Sequence, residues 1–102
     1  MDCFEVVYSK KAKEDIHKLY EFIVFEYKAP ITAFRYVQGL FDEIRKLSYS
    51  AQSYSIQTPK VFQQYGRNVR KINYKLMIII YTVNGSVVYI QRVVASSLIS
   101  DL

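Results

Sequence analysis

Residues 68–94 read NVRKINYKLMIIIYTVNGSVVYIQRVV, and the fold turns on this stretch. Three strand-like segments follow one another: Asn68 to Tyr74, Leu76 to Val83, and Ser86 to Val94. Asn84-Gly85, between the last two, is a strong signal for a two-residue hairpin. The middle segment carries Leu76, Met77, Ile78, Ile79, Ile80 and Tyr81 without polar alternation, as expected of a strand covered on both faces. The spacing therefore predicts a three-stranded antiparallel meander centred on residues 76–83.

Upstream, Cys3 to Tyr8 alternates around Phe4, Val6 and Tyr8 and reads as a short strand. Ser9 then offers an N-cap hydroxyl, and Ala12, Ile16, Leu19, Ile23 and Tyr27 recur at helical spacing, predicting a helix from Lys10 to Tyr27. Ala29-Pro30 breaks it. Pro30 suits the start of a second helix, whose stripe is Ala33, Val37, Leu40, Ile44 and Leu47. Helices joined so closely predict an antiparallel hairpin laid on one face of the sheet, which makes the chain a single α+β domain over residues 1–102. The opposite face is expected to bear exposed basic side chains. Ser48 to Gly66 has no sustained period and reads as a long connection with an extended piece around Lys60 to Gln64. Ala95 to Leu102 carries no structural signal.

Charge is distributed unevenly. No acid lies between Glu43 and Asp101, a stretch holding Arg45, Lys46, Lys60, Arg67, Arg70, Lys71, Lys75 and Arg92. With a net charge of +5, the clustering points to an acidic partner, either a protein segment or a nucleic-acid backbone. The single cysteine, Cys3, excludes an internal disulfide and a multi-cysteine metal site, and the lone His17 builds no cluster. Neither a metal nor a cofactor is expected. The longest apolar run is too short to span a bilayer and no leader pattern is present, so a cytoplasmic protein without membrane contact is expected.

With these elements in order, the chain resembles the RelE/ParE superfamily of toxins from bacterial type II toxin–antitoxin systems, also described as plasmid-stabilisation proteins. The resemblance rests on VVYSKKAKEDIHKLYEFI, with Ala12 and Asp15; on FEYKAPITAFRYVQGLFDEIRKL, with Pro30 and Ala33; and on NVRKINYKLMIIIYTV followed by VVYIQRVV. In many ParE-like sequences an arginine stands eleven residues before a tyrosine in the central strand, and the next strand ends Ile-x-Arg-Val. Arg70, Tyr81 and Ile90-Gln91-Arg92-Val93 occupy those places. Many ParE-like chains then continue with histidine or a short basic run, whereas Ala95, Ser96 and Ser97 stand here.

The resemblance implies a growth-inhibiting toxin neutralised by a cognate antitoxin, here one with an acidic segment. Its target is DNA gyrase if the chain is ParE-like, or messenger RNA on the ribosome if it is RelE-like. Metal-free RNA cleavage needs cations around the scissile phosphate and a proton donor. RelE-like toxins resemble one another in having lysines before the central strand, an arginine early in it and a basic residue after the last strand. Lys71 and Lys75 match the first feature and Arg92 completes a candidate nuclease set. The central-strand place, however, falls on Met77 or Ile78, and no base follows the last strand. Each missing charge stabiliser is worth roughly 2–4 kcal/mol in comparable sites, so the ParE-like reading is preferred, with a nuclease or a decayed, non-toxic member as alternatives.

Candidate contacts for target or antitoxin are Arg67, Arg70, Lys71, Lys75 and Arg92, with Tyr81 structural. Arg70 shares its strand face with Ile72 and Tyr74, which favours pairing with a hairpin acid, Asp15 or Glu43, over a target contact. Arg92 is open to pairing and recognition alike. Tyr49, Tyr54 and Tyr65 are candidate stacking platforms, while Tyr8, Tyr20, Tyr27 and Tyr36 are explained by packing. The oligomeric state is not legible.

Overall fold

The computed structural model describes residues 3–99. Strand β1 (Glu5–Tyr8) leads into helix α1 (Lys10–Glu26), helix α2 (Pro30–Arg45) and a single turn, α3 (Leu47–Ser50). Strands β2 (Arg70–Tyr74), β3 (Met77–Asn84) and β4 (Val87–Ala95) then form the antiparallel meander. The sheet order is β1-β4-β3-β2, with β1 pairing parallel to β4. The N-terminal strand is thus an edge strand, separated in sequence from β4 by the helical hairpin and the rest of the meander.

The α2 stripe buries in full, whereas in the α1 stripe Ala12, Ile16 and Ile23 are buried, Leu19 is half-buried and Tyr27 is exposed. Ala33, Val37, Leu40, Ile44 and Leu47 are all buried. Most of them join Ala12 and Ile16 against Ile72, Met77, Ile79, Tyr81, Val88, Ile90 and Val93 of the sheet. Ser9 starts α1 by accepting a hydrogen bond from the Ala12 N–H at 2.9 Å, and its own hydroxyl donates to the Gln91 carbonyl at 2.8 Å. One hydroxyl therefore ties the helix start to β4. Gln91 is the extra residue of a bulge there: Ile80 pairs with Arg92 and Tyr81 with Ile90.

The second face of the sheet differs from expectation. Instead of exposed bases it holds a second apolar cluster of Phe62, Val69, Ile78, Ile80, Val94 and Ile99. Its cover comes from the connection, because Lys60–Tyr65 is a 3-10 helix that inserts Phe62 and not the extended piece expected there. The uninterrupted apolar run of β3 needs a roof on both sides, and this helix supplies the second one. Ala51–Ser53 and Ser96–Leu98 are further short 3-10 turns, and Ile99 is buried, so the start of the tail packs. The rest of the tail, residues 100–102, lies outside the described residues.

The β3–β4 turn falls one residue later than the sequence predicts, on Gly85-Ser86. Asn84 and Val87 are the closing pair, and Gly85 takes φ +61°, which the first central position of a type II′ turn requires. Tyr27 caps α1 and is exposed, as Tyr20 partly is, so neither ring belongs to the core, and Tyr27 meets Phe22 edge-on at the surface. No described helix is long and apolar enough to cross a membrane.

Candidate functional site

Four of the five candidate bases, Arg70, Lys71, Lys75 and Arg92, are engaged within the molecule, and the manner of engagement shapes the surface. Arg70 and Tyr81 pair directly across β2 and β3, on the face toward the helices. Arg70 Nη1 donates to the carbonyls of Tyr54 and of Gln52, the latter at 3.3 Å. The Tyr81 hydroxyl donates to the Ala51 carbonyl at 2.6 Å. Together they clamp the 51–54 turn to the sheet by its otherwise unpaired carbonyls. Burial pushes the Tyr81 phenol up to about 12, against the opposing effect of the Arg70 charge. The arginine and tyrosine eleven positions apart are therefore one structural device, though the acid partner expected for Arg70 is absent among the described residues.

Asp15 goes to Arg92 instead. Its carboxylate accepts from Arg92 Nε at 2.7 Å, from Arg92 Nη2 at 2.9 Å and from the Val93 N–H at 2.9 Å. The last of these explains the assignment. Strand β1 stops pairing at Ile90, leaving the rest of that β4 edge without a strand partner, and Asp15 on α1 reaches the Val93 N–H beyond the bulge. Side-chain hydrogen bonding to Asp15 raises the Arg92 pKa further. Arg70, two strands away on β2, has no comparable access to α1.

Lys75 takes φ +53° in the β2–β3 turn, which carries its ammonium over the rings of Tyr36 and Tyr74, 5.3 and 5.5 Å from their centroids. Lys71 Nζ donates to Asn73 Oδ1 at 3.2 Å on the sheet edge. Strand alternation predicts Lys71 and Lys75 on one face; the left-handed turn separates them. Arg67 is exposed. Of the nuclease set, Lys71 and Arg92 share a row across Ile80, but Arg92 is committed to Asp15 and the row is roofed by Phe62. The bases read as one run thus do not form one flank.

What sequence reading missed is an open apolar groove of about 580 Å³ between α1 and the ends of the meander. Leu19, Phe22, Ile23, Tyr27, Tyr36, Leu76, Met77 and Ala95 line it, together with Lys18, Ser96, Ser97 and Asp15, whose carboxylate is paired with Arg92. Lys75 sits over Tyr36 beside it. Its signal in the sequence is an apolar residue off the helical stripe, Phe22, together with Leu76, which the β2–β3 turn expels from the strand. Among the described residues, no group of three or more His, Cys, Asp and Glu side chains could hold a metal ion.

The fold has a counterpart among solved structures. The fold superposes on a chain described as "Chromosomal ParDE TA system from P. aeruginosa" with a TM-score of 0.73 and 18% identity, covering 91% of this chain and 96% of that one. No curated protein of described function matches in sequence. The family described as "ParE toxin of type II toxin-antitoxin system, parDE" matches residues 6–97, a span that includes the Asp15–Arg92 pair and the Arg70–Tyr81 clamp. The chain belongs to the ParE toxin family of type II toxin–antitoxin systems.

Proposed function

We propose that this chain is a cytoplasmic toxin that arrests growth by binding DNA gyrase, and that a cognate antitoxin silences it by seating a segment with apolar and acidic side chains in the α1 groove. The observation that carries the antitoxin reading is the groove itself. Phe22, Tyr27 and Leu76 are 53%, 68% and 76% exposed around it. Single soluble domains seldom leave such a contiguous apolar surface in water, and a groove beside a helix suits an amphipathic segment. Lys18 in its lining and Lys75 over the Tyr36 ring favour acidic flanks on that segment, since the one lining carboxylate, Asp15, is already paired with Arg92.

Binding is preferred to RNA cleavage because the charge-stabilising places of the nuclease reading hold Ile78 beneath Phe62, and because Arg92 already serves Asp15. Gyrase is the target that ParE-like members imply. The test is a plasmid supercoiling assay with the purified chain: inhibition of gyrase, reversed by the protein encoded beside it, supports the reading. Ribosome-dependent cleavage of messenger RNA that disappears in Lys71→Ala, with gyrase unaffected, would replace it by the nuclease reading. Normal growth on induction would mark a decayed member.

A further inference from the structure

Two cavities open on the molecule's surface beside the Lys60–Tyr65 helix, away from the apolar groove. They hold about 600 and 320 Å³, and they adjoin, because Tyr65 and Gln91 line both. Lys10 and Lys11 stand in one and Arg67 in the other, while no described carboxylate lines either. No ion pair among the described residues involves these three cations. Tyr65 and Gln91 are common to both cavities, and Asn68 and Tyr89 line the larger one. The bulge in β4 delivers Gln91 to this place, and its amide is held by donating to Thr82 Oγ1 at 3.0 Å.

We infer that this joined cleft is a binding site for single-stranded nucleic acid. A single strand presents a phosphate and a flat base at every step, and the cleft offers the matching set: cations at both ends, two rings on which bases stack, and amides that meet base edges. An acidic peptide would occupy the cations and leave the rings and amides unused. A duplex would hide the base faces that the rings need. The cleft joins two lysines from the acid-rich half of the sequence to an arginine of the basic half, so it exists only in three dimensions. The inference concerns binding without cleavage, and it stands apart from the gyrase and antitoxin readings.

The test is fluorescence anisotropy of the purified chain with labelled single-stranded oligonucleotides of about 12 nucleotides, one DNA arm and one RNA arm, across a salt series. Binding should weaken with salt, and removing Lys10 and Arg67 together (Lys10→Ala, Arg67→Ala) should lower the slope of log K against log salt by roughly 0.7 for each phosphate no longer neutralised. Tyr89→Ala should weaken binding roughly tenfold. A control pair removing the same charge elsewhere, Lys28→Asn and Arg35→Ala, should shift affinity less than about twofold; Arg35 is exposed on α2, and asparagine tolerates the φ of +50° at position 28. Tighter binding in one arm identifies DNA or RNA as the preferred strand. The inference is overturned by absence of binding at low salt, by equal losses in cleft and control pairs, or by a glutamate-rich peptide or a duplex that binds as tightly. Should Tyr89→Ala fail to fold by circular dichroism, Tyr65→Leu supplies the same readout.

Discussion

Replacing Asp15 by alanine should destabilise the fold by about 2–3 kcal/mol, a large share of the stability of a domain this size. The magnitude follows from the geometry. The carboxylate is 14% exposed and the guanidinium 31%, so the pair lies between a surface bridge worth up to about 1 kcal/mol and a buried one whose breaking costs roughly 3–5 kcal/mol. Truncation strands two guanidinium donors and the Val93 N–H at the bare edge of β4, with partial re-solvation of Arg92 offsetting some of the loss. Asp15→Asn retains an acceptor and should cost less, about 1–2 kcal/mol. Urea unfolding read by circular dichroism is the assay, with an unchanged slope confirming that only stability moved. Arg92→Ala and the double variant complete a cycle whose coupling should be about 1–2 kcal/mol. An Asp15→Ala cost under about 0.5 kcal/mol, or strict additivity in the cycle, would refute the claim that this carboxylate both pairs the arginine and caps the strand edge.

Tyr81→Phe should cost about 1–2 kcal/mol in the same urea assay, because the Ala51 carbonyl loses its buried donor. The Tyr81 phenol is neutral in the fold, and burial moves it up to about 12 from its ordinary value near 10; burial also raises Tyr8 and Tyr36. Its stabilising contribution is therefore complete below pH about 10 and is lost as pH rises through about 12, some 2–3 kcal/mol in all, and Tyr81→Phe should flatten that part of the stability–pH curve measured by urea unfolding. A methyl group added at Gly39 on α2 would clash with the Tyr74 hydroxyl oxygen, well inside van der Waals contact distance. Gly39→Ala should thus lose about 1–2 kcal/mol despite a better helix propensity, with partial rescue by Tyr74→Phe in thermal melts. Leu76→Ser and Phe22→Ser should leave stability within about 0.5 kcal/mol yet weaken antitoxin binding at least about tenfold by titration calorimetry; full affinity in both variants would remove the groove from the proposal.

Element types and burial stripes were legible because their causes are local. The spacing of Ala33, Val37, Leu40, Ile44 and Leu47 follows from helix geometry alone, and every one of them is buried. The unbroken apolar run of β3 announced a strand with two covered faces, and the Ser9 cap was visible as a hydroxyl before a helical pattern. Other features lacked a local signal. The cover on the second face comes from a segment whose 3-10 turns leave no period longer than a few residues, so Lys60 to Gln64 read as extended chain. Phe22 and Leu76 look like scattered apolar residues until a groove unites them.

Periodicity along the chain was enough to specify an α+β fold with a helical hairpin on a meander, since each side chain's face depends on its neighbours three, four or two places away. Partnership was not specified in that way. Whether Arg70 or Arg92 meets Asp15 depends on where β1 leaves the edge of β4 and how α1 crosses it, contacts between residues 77 and 78 positions apart. Charge behaved likewise: a run of bases in one half of the chain became a clamp on backbone carbonyls, a lock on a strand edge, a cation over two rings and part of a cleft, because folding sorts side chains by position in space while a sequence sorts them only by order.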